Sequence, residues 1–129
     1  MTNVLKNIGI TLLIFIVIDG IWLFLMRNFY SKQLGELMTT NVKWLSALIF
    51  YVLFVIALYY FVINPALISG DIKVLVISAV LFGLVTYGTY DLTNYATLNN
   101  WPLTITIIDL CWGSFVSTAV ALISFFILK

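Results

Sequence analysis

Nineteen consecutive residues, Leu45 to Ile63, carry no charge at all. That run is long enough to cross the hydrocarbon core of a bilayer, which takes about 20 mostly apolar residues as an α-helix. Three further stretches have the same character: residues 8–26, interrupted only by Asp19; residues 72–90; and residues 103–128, with Asp109 near the start. A chain of 129 residues with 64% hydrophobic and 9% charged residues cannot hide that apolar surface inside a water-soluble fold. The sequence therefore predicts an all-α integral membrane four-helix bundle, one membrane domain covering residues 1–129. The first run contains Asp19 and Trp22 and no small-residue cleavage site follows it, so it reads as a span rather than a signal peptide.

The connections are short. Asn64-Pro65 marks the end of the second span, and Ser69-Gly70-Asp71 reads as a turn with Asp71 and Lys73 as a solvated pair. Pro102 suits the first turn of the fourth helix. The longest connection runs from Arg27 to Trp44. Within it Tyr30, Leu34, Leu37 and Met38 fall at helical spacing, which predicts a short interfacial helix between the first two spans, with an ordered loop as the alternative. Four spans put both termini on one side with Lys6, Lys73 and Lys129, and leave Arg27, Lys32 and Lys43 on the other. Three against three gives no positive-inside bias, so the orientation stays open.

Several chemistries are excluded. The chain has no His and a single Cys, Cys111, so it offers no intramolecular disulfide, no Cys/His metal set and no His-dependent catalysis. No cofactor motif is present. A net charge of +1 gives no footprint for nucleic acid. Cys111 reads as a small buried packing residue. Trp44 and Trp101 read as interfacial anchors.

The informative feature is a repeated phrase: Ile18-Asp19-x-x-Trp22 in the first span and Ile108-Asp109-x-x-Trp112 in the fourth. A spacing of three puts acid and indole on one helical face. Counted from Arg27 and from Pro102, both carboxyls lie roughly 10–12 Å from the same membrane face. Asp91 approaches that face at the end of the third span, whose Gly83, Tyr87, Tyr90, Asp91 and Asn94 form a polar and aromatic stripe. An intramembrane aspartate costs about 2.5–3.5 kcal/mol on insertion scales, so it is paired, protonated or hydrated. Candidate donors are Trp22, Trp112, Tyr87, Tyr90, Asn94 and the hydroxyls of Thr86, Thr89, Thr93 and Thr97. On the fourth helix Gly113, Ser117 and Ala121 form a small-residue row suited to close helix contact.

The run Tyr87-Gly88-Thr89-Tyr90-Asp91-Leu92-Thr93-Asn94-Tyr95, followed by Trp101-Pro102 and Asp109-x-x-Trp112-Gly113, resembles an uncharacterised bacterial membrane family, domain of unknown function 2177. Asp19-x-x-Trp22, Phe50-Tyr51 and Pro65-Ala66-Leu67 are similar as well, and the chain departs by carrying Gly88 where members often carry Ala. The resemblance implies a four-helix protein of the bacterial inner membrane and brings no activity with it. The residues themselves leave three readings open. One is a polar pocket of Asp19, Trp22, Tyr87, Tyr90, Asp91, Asn94, Asp109 and Trp112 in one leaflet, binding a lipid or amphiphile. The second is a small proton-coupled transporter. The third is a scaffold that docks a membrane enzyme or a second copy of itself. In each the bilayer is the first partner, and buried aspartates acting as interhelical glue compete with all three.

Overall fold

The computed structural model describes residues 2–129, and these form helices joined by short turns. Helix α1 runs Thr2–Leu34; α2, Trp44–Leu58, passes through a π-helical turn, Tyr59–Ile63, into α3, Asn64–Ser69; α4 runs Ile72–Thr97 and α5 Leu103–Leu128. Taken as spans, these make four helical segments long and apolar enough to cross a membrane. The surface is that of a chain in lipid: Leu5, Leu25, Trp44, Leu45 and Ile68 are each two-thirds or more exposed. Lipid tails are as apolar as these side chains, so nothing drives them inward.

Burial follows helical stripes. On α5 the buried positions are Ile105, Thr106, Asp109, Gly113, Val116, Ser117, Val120, Ala121, Ser124 and Phe125, a face that repeats every three to four residues. Buried with it are Val55 and Leu58 of α2, Val62 and Ile63 of the π turn, and Thr11, Phe15 and Asp19 of α1. The predicted small-residue row is buried, as expected. Helices α4 and α5 make the most extensive contact. A Cβ added to Gly83 would sit 2.5 Å from the backbone carbon of Gly113, so the two backbones touch where neither residue has a side chain.

Three details differ from the sequence reading. The short helix expected between the first two spans is not a separate element. Helix α1 continues without a break to Leu34, and one 3-10 turn follows at Gly35–Leu37, opened by Gly35 at φ +53°. At 1.5 Å per residue α1 is about 50 Å long, more than the roughly 30 Å hydrocarbon core, so its end stands beyond it. The Asn64-Pro65 pair does not end the second span. The π turn just before it widens the helix where the ring of Pro65 would press on an earlier carbonyl, and the helix goes on to a left-handed cap at Gly70. The third span reaches Thr97, so Asp91 lies inside the helix rather than at its end. Asp71 caps that helix: its Oδ1 accepts from the backbone N–H groups of Lys73 and Val74 at 3.0 and 3.3 Å.

Candidate functional site

One face of α1 carries Asp19, Trp22, Leu23, Arg27, Tyr30, Ser31 and Leu34, spaced by three, one, four, three, one and three residues. That face borders a cavity of about 600 Å³. Thr86, Tyr87 and Tyr90 of α4 form another wall, Trp101, Ile105, Asp109 and Trp112 a third, and Met38 and Phe50 close the side toward α2.

The polar groups on these walls are linked. Asp19 accepts a short hydrogen bond from the Tyr51 hydroxyl on Oδ2 and one from Trp112 Nε1 on Oδ1, the latter at 3.2 Å. Asp109 accepts a short bond from the Tyr30 hydroxyl. That hydroxyl in turn accepts from Trp22 Nε1 at 3.1 Å. The indoles of Trp22 and Trp112 stack with centroids 4.2 Å apart and planes 7° from parallel. The repeated acid-indole phrase is therefore a crossed pair: the fourth helix's indole serves the first helix's acid, and the first helix's indole reaches the fourth helix's acid through Tyr30.

The donors to Asp19 and Asp109 are all neutral groups. Arg27, the basic residue on the cavity wall, is exposed, donates to the Phe24 carbonyl at 2.6 Å and lies 4.2 Å over the Phe24 ring. Asp91 is fully buried, and neither of its carboxyl oxygens has a hydrogen-bond partner. It lies close enough to Asp109 for the two carboxyls to interact. Neighbouring carboxyls of this kind need a shared proton or a counter-cation. The described residues contain no group of three or more Cys, Asp or Glu placed to hold a metal ion.

Six of the eight residues that the sequence points to line the cavity: Asp19, Trp22, Tyr87, Tyr90, Asp109 and Trp112. Asp91 stands behind the wall, against Asp109, and Asn94 is half-buried away from it. The threonine hydroxyls do not serve the acids. Thr86 donates to Phe82 O at 2.9 Å and Thr97 to Thr93 O at 2.8 Å, and Thr89 and Thr93 likewise bond back to their own helix. Trp101 is not an interfacial anchor: it is buried, donates to Thr106 Oγ1 at 3.1 Å and meets the Tyr90 ring edge to face. Trp44 stays exposed, in keeping with an anchor. Cys111 is exposed on the outer face of α5, not buried, because it lies two positions past Asp109 and faces away from the core. Tyr30 and Tyr51 are the site residues that motif reading misses.

No curated protein and no solved structure matches the chain. The profile of one family, described as "Predicted membrane protein (DUF2177)", matches residues 4–126, nearly the whole length and every residue of the cavity wall. This chain is a member of the DUF2177 family of predicted membrane proteins.

Proposed function

We propose that this protein holds a lipid or other amphiphilic molecule in the cavity between α1, α4 and α5, within one leaflet of a bacterial inner membrane. The observation that carries the reading is the cavity itself: about 600 Å³, walled by aromatic and aliphatic side chains, with two carboxyls, Asp19 and Asp109, on its inner surface. Binding sites for small molecules are apolar clefts of about 300–1,000 Å³ with a few placed polar groups. The family resemblance supports the bacterial inner membrane as the location.

A second reading is favoured by the bonds themselves. Tyr51 and Trp112 tie α2 and α5 to Asp19 of α1, and Tyr30 ties α1 to Asp109 of α5. Interhelical bonds of this sort hold membrane bundles together without any ligand.

Filling the cavity separates the two. Leu23→Trp and Thr86→Trp add bulk at wall positions whose side chains make no bond to either carboxyl. Native mass spectrometry of protein purified in dodecyl maltoside measures retained lipid mass. The expected result is one bound amphiphile on the wild-type chain and none on either filled variant, with thermal unfolding little changed. Equal retention by wild type and filled variants, or no bound mass on the wild type, refutes the binding reading and leaves the aspartates as glue.

A further inference from the structure

We infer that the molecule held in this cavity is a cation, an amphiphile whose charged end is an ammonium group. The inference rests on the binding reading above and names the ligand class. Two carboxyls, Asp19 and Asp109, line the cavity, and their bonded partners are phenol and indole groups, which carry no positive charge. Behind the wall, Asp91 is fully buried beside Asp109 and receives no hydrogen bond from a phenol, an indole or a base. Carboxyls removed from water without a base hold protons or take a counter-cation, and the cavity gives a cation room beside two of them. The basic residue on the wall does not supply it, because the guanidinium of Arg27 is turned onto the carbonyl and ring of Phe24.

The rest of the wall suits a cation. Trp22, Tyr30, Tyr87, Tyr90, Trp101 and Trp112 face the same space. The faces of aromatic rings attract ammonium groups, most strongly where water is excluded. Each carboxylate has about four lone-pair sites. Two are used on Asp19 and one on Asp109, so both keep capacity to accept from a charged N–H or to balance a quaternary nitrogen. Leu23, Leu34, Met38 and Phe50 continue the wall and offer apolar surface to the first carbons of a chain.

The test uses the full chain in dodecyl maltoside micelles at pH ~8, where three dodecyl probes differ only in the head: dodecyltrimethylammonium, a cation; dodecyldimethylamine oxide, neutral; and dodecyl phosphate, an anion. Three of the four tryptophans line the cavity, so tryptophan fluorescence reports occupancy. The expected result is saturable binding in which the cation half-saturates at no more than about one-tenth the concentration of the neutral probe, with the anion weakest. Asp19→Asn and Asp109→Asn should each shrink that advantage while leaving the neutral probe's half-saturation where it was. Equal binding of cation and neutral probe by the wild-type chain overturns the cation assignment and leaves the amphiphile reading standing. That comparison needs no variant to fold. Absence of saturable binding by all three overturns both. Tetramethylammonium, the charge without the chain, should fail to compete; competition at the same concentration as the dodecyl cation would keep the cation site and overturn the amphiphile.

Discussion

Gly83→Ala should be among the most damaging small changes this chain can suffer, and Gly88→Ala, five residues along the same helix, should be harmless. A methyl on Gly83 would sit 2.5 Å from the carbonyl carbon of Gly113, 2.8 Å from Ser114 Cα, and closer still to the Gly113 oxygen. All three are backbone atoms of α5 and cannot rotate away. Moving the carbonyl carbon alone from 2.5 Å to an ordinary 3.4 Å requires a displacement of about 0.9 Å of helix against helix. Overpacking of this kind costs typically 1–3 kcal/mol, and a rigid backbone neighbour puts Gly83→Ala at the upper end. Replacing Gly by Ala inside a helix returns about 1 kcal/mol of intrinsic propensity, so the net loss is about 2 kcal/mol. At Gly88 the added methyl meets Leu110 Cδ2 at 3.3 Å and Leu92 Cδ1 at 3.4 Å, the free ends of flexible side chains. The same propensity gain applies there, and the net change should lie between zero and about 1 kcal/mol of stabilisation. Thermal unfolding in dodecyl maltoside, followed by circular dichroism, measures both. Gly83→Ala unfolding at the wild-type temperature, or Gly88→Ala losing as much as Gly83→Ala, would refute the claim that α4 and α5 meet backbone to backbone.

The hydrogen-bond network and the outer face of α5 give three more predictions. Tyr30→Phe removes the hydroxyl between Trp22 and Asp109 and leaves one acceptor and one donor short, which should lower stability by about 1–3 kcal/mol; in the same unfolding assay a Phe variant as stable as wild type would count against the bridge. Trp112→Phe takes the 3.2 Å bond from Asp19 and trades an indole stack for a weaker one, so the near-ultraviolet circular dichroism signal of the Trp22–Trp112 pair should collapse together with a loss of about 1–2 kcal/mol. An unchanged spectrum would mean the two rings do not stack. Cys111→Leu, on the exposed face of α5, should shift stability by less than about 0.5 kcal/mol; a large loss would place that side chain in packed surroundings.

The spans are legible in the sequence because a bilayer imposes one strong rule, length of apolar helix, and four runs satisfy it. That Asp19 and Asp109 come to one cavity is legible for the same reason, since rise per residue converts position into an expected depth. What surrounds them is harder to read. Arg27 and Lys32 lower the hydropathy after residue 26, so the pattern suggests a break, yet a helix that leaves the hydrocarbon does not have to stop. Carrying the Asp19–Trp22 face onward by helical repeat reaches Tyr30, eleven residues past Asp19, and that is the signal that finds it. Tyr51 sits in a charge-free span where nothing local distinguishes it from a packing residue. The threonines mislead because a hydroxyl in a helix meets its own carbonyls first, which composition cannot reveal. Trp101 looks like every aromatic near a span end; its inward turn depends on Thr106 and Tyr90, which only the fold brings beside it.

The cavity lies where close packing gives way to polar linkage. Helices α4 and α5 are locked through Gly83 and Gly113, and Tyr87 fills the space over Gly113, so this pair is a frame with little freedom. Asp109 sits one helical turn from that lock, and Asp91 lies opposite it on the other helix of the frame. Helix α1 completes the wall at this level differently, through a stacked indole pair and hydroxyl-to-carboxylate bonds. A bundle needing only cohesion would be served as well by apolar residues at these positions, since replacing buried charged groups with well-packed hydrophobic ones is often neutral or stabilising. Under the proposed binding reading the acids make physical sense, because Asp19 on α1 and Asp109 on α5 stand on two walls of one cavity and a ligand between them would meet both.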